Sequence, residues 1–354
     1  MIPGAQLAHW LADREAQQRS RDRVEASAGR FSLHPMMTQL ERELTELAER
    51  TPEALIDAAR RFMDRTGEID AIMRELIAGC RADPFFRPPF LPLSSEVHNG
   101  LLLCQHPDLT ISLGVTGLDM LATKKTGRRG PASINFTGFV TLLRFLKAGN
   151  ATLSFWEAPP IPDAFQASQA GHCRLVDRRV MTDGEEILVD GRHQSFVIEH
   201  ASDDILFFQA VARAGCAPVG VEYDSDSLAF LGASSTDEVS SRLQMMVSML
   251  RALERDDAFP IFEEALDSPQ FYTRWHVMRE MLAMDADASL PALRRMAAGD
   301  SHPDIRAAAQ QTLDLFFTDA ADETDGVISS RMDSSGDSEI TTDKDPPGET
   351  LCRA

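Results

Sequence analysis

Between residues 97 and 233 the apolar segments are short, and turn residues rather than helices separate them. Hairpin turns are indicated at Ala148-Gly149-Asn150, Thr182-Asp183-Gly184 and Asp190-Gly191, because glycine and asparagine readily adopt the positive φ of tight reversals. Segments of this kind, joined by hairpins, form antiparallel sandwiches or barrels rather than doubly wound parallel sheets. The sequence therefore predicts an antiparallel β-sandwich or barrel over residues 97–234.

Helical periodicity is found on the N-terminal side of this β domain. Residues 36–82 are predicted to be helical, and Thr51-Pro52-Glu53 has the capping hydroxyl, early proline and acidic residue of a helix start. Residues 83–96 contain several prolines, which forbid a helix or a central strand, and are predicted to be a linker. Residues 1–35 are polar and weakly patterned, so we expect a poorly ordered N-terminus.

The region after the β domain is also predicted to be helical, over residues 235–317. Ser235 and Glu238 have the spacing of a capping box. An apolar stripe follows at helical spacing, formed by Val239, Leu243, Met246, Leu250 and Leu253. Residues 318–354 carry ten acidic and three basic residues with few apolar ones, so this acidic tail is predicted to be disordered.

Charge and cysteine content exclude several classes of function. The formal net charge is −20, which disfavours binding to nucleic acid and to anionic lipid. The five cysteines include no CxxC pair, so neither a disulfide framework nor a cysteine-based zinc site is expected. The longest uncharged run has about 14 residues, shorter than the ~20 that a membrane span needs. The sequence thus predicts a cytoplasmic protein without nucleic-acid or membrane partners.

The segment Asp300-Ser301-His302-Pro303-Asp304-Ile305-Arg306-Ala307-Ala308-Ala309, followed by Leu313, resembles the helix opening of HEAT-type repeats. Residues 274–282 are similar to the matching helix of a preceding unit. HEAT-type repeats commonly act as interaction surfaces, so the resemblance implies a protein partner for this region.

A metal site is a second hypothesis, for the β domain. His106 and Asp108 form a His-x-Asp pair at the start of a predicted strand, and His200 ends a later one. Two histidines and a carboxylate on one face are the ligands of mononuclear non-haem iron. The pattern is similar to that of cupin-like barrels, and the resemblance implies Fe²⁺ or another divalent metal, with Arg213 anchoring a substrate carboxylate. The alternative is that His106 and Asp108 belong to a structural loop.

One dense basic cluster interrupts the acidic chain, formed by Lys124, Lys125, Arg128 and Arg129. It lacks the glycine-rich approach and following helix of a phosphate-binding loop. The cluster is interpreted as a ligand-binding site for an anion or an acidic partner, or as a solvated hairpin loop on which the acidic tail could rest.

The fold class predicted from these patterns is α+β, with an antiparallel β-sandwich or cupin-like barrel between an N-terminal helical segment and C-terminal HEAT-like helices. Two functions remain open. One is a scaffold that binds a small-molecule ligand or a protein. The other is a mononuclear non-haem iron oxygenase of cupin-like architecture. No residue is assigned a catalytic role, and no cofactor is certain.

Overall fold

The computed structural model describes residues 4–95, 98–119, 121 and 133–317. The chain forms two compact units. The first comprises Met1–Ile134, Phe139–Glu157 and Arg174–Cys216, and the second comprises Asn135–Gly138, Ala158–Cys173 and Ala217–Ala354. The predicted α+β fold, with antiparallel strands between two helical segments, is confirmed. The division between the units differs from the predicted boundary at residue 234, because the last two strands group with the C-terminal helices.

The first unit begins with a helical segment. Its helices are α1 (Gly4–Ala12), α2 (Arg14–Ser32), α3 (Pro35–Glu46), α4 (Pro52–Met63) and α5 (Thr66–Ala82). Helix α4 starts as predicted, since Thr51 Oγ1 accepts a hydrogen bond from the backbone N–H of Ala54. No helix within the described residues is long and apolar enough to cross a bilayer.

The prediction of a poorly ordered N-terminus is wrong, because α1 and α2 occupy most of residues 4–32. Asp13 Oδ1 caps α2 by accepting from the backbone N–H of Ala16. The buried or partly buried face of α2 is formed by Ser20, Val24, Ser27 and Phe31, which recur at helical spacing. Two of these four residues are serines, so the face is too polar to stand out in the sequence.

The strands of the chain lie between α5 and the C-terminal helices. They are β1 (Leu91–Ser94), β2 (His98–Gln105), β3 (Leu109–Thr116), β4 (Ser133–Phe136), β5 (Val140–Lys147), β6 (Thr152–Glu157), β7 (Arg174–Val180), β8 (Glu186–Asp190), β9 (Gln194–His200), β10 (Ile205–Ala212), β11 (Val219–Asp224) and β12 (Phe230–Ser235). Strand β1 lies in the predicted linker. Its proline, Pro92, is tolerated because β1 is the edge strand of its sheet.

Two sheets of the first unit share a core. One has six strands in the order β1-β2-β3-β10-β5-β8, and the other has three in the order β7-β6-β9. Strand β10 is apolar on both faces: Phe208, Ala210 and Ala212 pack with the helices, whereas Ile205 and Phe207 pack with side chains of the smaller sheet. Burial of one phenylalanine side chain contributes about 1.5–3 kcal/mol, so this central strand anchors both layers.

The second unit combines a small sheet with helices. The sheet has the order β12-β11-β4, and Asn135–Gly138 is the part of the β4 region that belongs to this unit. The helices are α6 (Glu238–Ala252), α7 (Phe259–Ala265), α8 (Phe271–Met284), α9 (Ala286–Gly299) and α10 (Pro303–Phe316). The predicted capping box at Ser235 is corrected: Asp237 caps α6, and the Ser235 hydroxyl instead contacts Tyr272 Oη.

Candidate functional site

The space between the two sheets of the first unit is lined by apolar side chains. Leu143 and Phe145 of β5 and Phe207 of β10 belong to the same buried cluster as Leu153 of β6. Phe196 of β9 packs against this cluster. A metal centre in a β domain needs convergent histidines and carboxylates, whereas these leucine and phenylalanine side chains have no atom that can bind a metal.

His106 and Asp108 form the turn between β2 and β3. The backbone N–H of Asp108 donates to His106 Nδ1 at 3.1 Å, and Arg50 Nη1 donates to Asp108 Oδ2 at 2.6 Å. The backbone N–H of Arg213 donates to the carbonyl of Asp108 at 2.8 Å. The Arg213 guanidinium lies over the Phe139 ring, 5.8 Å from its centroid. These contacts give His106 and Asp108 structural roles in the turn.

His200 ends β9 of the three-stranded sheet and leads to the end of β10 that is opposite Asp108. Asp108 directly precedes Leu109, which pairs with Ala212 at the end of β10, whereas His200 leads through a short loop into Ile205 at the start of β10. These two ends of β10 are seven residues apart, or ~23 Å at ~3.3 Å per residue. One ion with bonds of ~2.1 Å cannot join His106 and His200. The structure therefore does not bring the predicted triad together.

The rest of the described chain supplies no substitute for this triad. Within residues 4–95, 98–119, 121 and 133–317, no three histidine, cysteine, aspartate or glutamate side chains gather closely enough to hold a metal. The residues present thus do not fit the Fe²⁺ that the cupin resemblance implies. The basic cluster of Lys124, Lys125, Arg128 and Arg129 and the acidic tail at 318–354 lie outside the described residues.

A buried ion pair joins the helices of the second unit. Arg274 of α8 holds both carboxylate oxygens of Asp300, at 2.7 and 2.8 Å, and the two side chains are only 12% and 5% exposed. Burial acts to raise the pKa of Asp300, but hydrogen bonds from Arg274 and from the backbone N–H of His302 outweigh it and hold the pKa below its ordinary value. The carboxylate therefore stays charged and fixes the start of α10 against α8.

The second His-x-Asp pair of the chain is equally structural. His302 caps α10 by accepting from the backbone N–H of Asp304 at Nδ1. Its other ring nitrogen, Nε2, lies 2.9 Å from the carbonyl of Phe165, and its ring stacks on Phe271 with centroids 3.9 Å apart. Because Nδ1 acts as an acceptor, Nε2 carries the proton and donates to Phe165.

Helix α6 has two apolar faces. Val247 is buried, and Leu243 and Leu250 pack with it against a core that includes Phe262 and Val277. The second face is exposed to solvent. It is formed by Val239, Met245, Met246, Met249 and Leu253, whose exposures are 73%, 58%, 57%, 55% and 66%. We call this set the α6 stripe.

The α6 stripe corrects the sequence-based view of this helix. The single predicted stripe combined Leu243 and Leu250, which face the core, with Val239, Met246 and Leu253, which face solvent. The sequence signal for the exposed face is the width of the apolar arc around the helix. This arc covers more of the helix circumference than one packed face requires, because it includes positions 239, 243, 246, 247, 249, 250 and 253. Exposed contiguous apolar surface of this kind commonly marks an interaction site.

The fold and the α6 stripe define an α+β chain that joins an antiparallel β domain to helices of the HEAT type. Residues 229–314 match the family model for HEAT repeats. The HEAT-like region predicted from the segment at residue 300 is therefore confirmed. No curated protein sequence matches the chain.

Comparison with solved structures gives cupin-type proteins. Ectoine synthase from P. lautus is 8% identical, with a TM-score of 0.20, over 34% of this chain and 67% of that one. An RmlC-like cupin family protein with a double-stranded β-helix fold, from Methanocaldococcus jannaschii, is 11% identical, with a TM-score of 0.21, over 34% and 88%. A cupin domain from Bordetella pertussis is 8% identical, with a TM-score of 0.20, over 34% and 99%. At these TM-scores the likeness carries no argument about activity.

Proposed function

We propose that the chain is a protein-binding scaffold, and that the α6 stripe receives an amphipathic helix of a partner protein. The observation that carries the proposal is the exposure of five large apolar side chains on one face of one helix. Three of the five are methionines. Their unbranched, polarizable side chains adapt to different partner surfaces, so methionine is frequent on helix-binding surfaces.

The position of α6 within the repeats supports this function. It is the first helix of the region that matches HEAT repeats. In repeat arrays each unit covers the apolar face of its neighbour, and terminal units need a polar outer face for solubility. The outer face of α6 is apolar instead. An apolar face of this kind is expected where another helix packs on it.

Charge defines the chemistry of the partner further. The chain carries a formal net charge of −20, and Glu238 and Glu254 stand at the two ends of the α6 stripe. Arg242, between Val239 and Met245 in the sequence, forms an ion pair with Glu238. We therefore propose a partner helix with an apolar face flanked by lysine or arginine, because complementary charge speeds encounter and rejects acidic competitors.

The experiment places a photo-crosslinking amino acid at Met249 in the full chain and, as a control, at Ala307 on exposed surface of α10. We expect the crosslinker at position 249, and not the one at position 307, to capture a partner protein. Mass spectrometry identifies this partner, which is then purified for binding measurements. The double substitution Met246→Glu and Met249→Glu should weaken its binding by at least about a hundredfold, as loss of central apolar anchors does. The control adds the same charge elsewhere, as Ala307→Glu and Gln311→Glu, and should leave affinity within about twofold.

Two results would contradict the proposal. Equal weakening by the α6 and α10 double variants would mean that charge, not the α6 stripe, determines binding. Self-association of the purified chain that disappears in the α6 variant would assign the stripe to a second copy rather than to another protein. Analytical ultracentrifugation of the purified chain measures the second case directly.

A further inference from the structure

A cavity of about 540 Å³ lies in the N-terminal part of the first unit, between α1, α2 and the residues that follow α5. Its lining includes Trp10 of α1, Arg19 and Arg23 of α2, and Phe85 beyond the end of α5. This volume is within the range of about 300–1,000 Å³ that is typical of small-molecule sites. The cavity is independent of the α6 stripe, which belongs to the second unit.

One wall of the cavity is an aromatic pair held in place by hydrogen bonds. The rings of Trp10 and Phe85 stack with centroids 4.4 Å apart and an interplanar angle of 17°. Trp10 Nε1 donates to Ser20 Oγ at 3.3 Å, and Ser20 Oγ donates to the buried Asp83 Oδ2 at 2.7 Å. A fixed aromatic wall favours a planar ring as ligand, because offset stacking and edge contacts add to apolar burial.

Two guanidinium groups stand one helical turn apart beside this wall. Arg19 and Arg23 are 59% and 52% exposed. The carboxylate oxygens paired with Arg19 lie 3.8 and 3.6 Å away, on Asp13 and Glu15, and the one paired with Arg23 lies 3.5 Å away, on Asp83. Charge-assisted hydrogen bonds are shorter, about 2.7–2.9 Å, so both guanidinium groups retain N–H donors for a ligand.

The carboxylates in the lining are already occupied by donors from the protein. Asp13 Oδ1 accepts from the backbone N–H of Ala16 at 2.9 Å. Asp83 accepts from Ser20 Oγ through one oxygen and from the backbone N–H of Phe85, at 2.9 Å, through the other. The cavity therefore offers a ligand hydrogen-bond donors and an aromatic surface, with its acceptors largely engaged.

We propose that this cavity binds an aromatic carboxylate, with its ring against Trp10 and Phe85 and its carboxylate on Arg19 and Arg23. The planar fork of arginine suits a carboxylate, and two forks one turn apart can share its two oxygens. This ligand class uses both features of the cavity, whereas an uncharged aromatic would use the aromatic wall but not the remaining guanidinium N–H donors.

Isothermal titration calorimetry on the full chain tests the proposal with two acids, indole-3-acetate and benzoate, and with indole-3-acetamide as the uncharged analogue. We expect saturable binding of at least one acid with Kd below about 1 mM, and binding of the amide at least about tenfold weaker, as the loss of a charged hydrogen bond predicts. Affinity for the acid should fall as salt is raised, because the arginines are half exposed.

Variants of one helix separate the site from general charge effects. Arg19→Ala and Arg23→Ala should each weaken binding of the acid by about tenfold. Arg21→Ala removes the same charge from the exposed opposite side of α2 and should leave affinity unchanged. Because Arg23 also pairs with buried Asp83, circular dichroism is used to check that the Arg23→Ala variant folds. If Arg23→Ala is misfolded, the affinity of Arg19→Ala alone tests the proposal.

Three outcomes would overturn the proposal. They are the absence of saturable binding of both acids, equal affinity for the acid and its amide, and equal loss of affinity in Arg19→Ala and Arg21→Ala. None of them bears on the docking of a partner at the α6 stripe.

Discussion

Removal of Arg274 should strongly destabilise the second unit, because Arg274 forms a buried ion pair with Asp300. In Arg274→Ala, the Asp300 carboxylate keeps its backbone donor from His302 but loses both hydrogen bonds from the guanidinium group. Breaking a buried ion pair from one side costs about 3–5 kcal/mol of unfolding free energy. Since one donor to Asp300 remains, we expect the lower end, about 3 kcal/mol at pH 7.

The measurement is urea unfolding, monitored through the fluorescence of Trp275, which is next to Arg274 in the sequence. In all variants Trp10 and Trp156 are replaced by phenylalanine, so that Trp275 is the only tryptophan. Arg279→Ala is the matched control, because Arg279 is an exposed arginine of the same helix, and it should cost less than about 0.5 kcal/mol. Adding Asp300→Asn to Arg274→Ala should recover part of the loss, because the double variant no longer buries an uncompensated charge.

The pH dependence of this loss has a definite sign. The folded pKa of Asp300 is lowered, so its stabilisation is fully present above the unfolded value of about 3.9 and is lost as pH falls through the folded pKa. The difference between wild type and Arg274→Ala should therefore be largest near neutral pH and shrink below about pH 4. Two results would refute the role assigned to the Arg274–Asp300 pair. One is a loss of unfolding free energy in Arg274→Ala no larger than that in Arg279→Ala, and the other is a loss that does not change with pH.

Two further predictions concern turns of the first unit, and thermal and chemical unfolding test both. His106→Ala should lower the free energy of unfolding by about 1 kcal/mol. His106→Asn should retain most of that stability, because asparagine also offers a capping oxygen to the N–H of Asp108. Equal losses in the two variants would exclude the capping role. Gly184→Ala should cost about 1 kcal/mol for its positive φ alone, since a Cβ there has no neighbour within 4 Å. Gly149→Ala should cost clearly more, because its Cβ would lie 2.4 Å from the carbonyl oxygen of Asp203; similar costs for the two glycines would contradict the close approach.

The strands were predictable where turn chemistry and apolar alternation coincide. The predicted turns at Ala148-Gly149-Asn150, Thr182-Asp183-Gly184 and Asp190-Gly191 each lie at the connection between two strands: β5 and β6, β7 and β8, and β8 and β9. Strand β1 was missed, because Pro92 argues against a strand unless the edge position is known. Helix α2 was missed because half of its buried face is serine. In both cases the deciding fact is tertiary: what the segment packs against, rather than its own composition.

The candidate sites were less predictable than the fold, for a related reason. The sequence shows that Met246 and Met249 lie on α6, but the choice between core and solvent depends on α8, which covers only the face with Val247. The N-terminal cavity needs Trp10 to meet Phe85, which is 75 positions away in the chain. Pairings between such distant residues leave no periodic pattern in the sequence, so composition and spacing cannot reveal them.

The predicted triad is not brought together, and the other histidines of the chain explain why its His-x-Asp pair forms a turn instead. The chain contains three His-Pro-x segments, beginning at His34, His106 and His302. In each of them the backbone N–H two residues on donates to the imidazole Nδ1, at 3.3, 3.1 and 3.3 Å. Proline supplies the fixed φ of the turn, and the imidazole accepts as an aspartate or asparagine cap does. A His-x-acid pair that encloses a proline therefore indicates a turn or helix cap in this chain, and the acid at its third position is placed by the turn rather than by a metal.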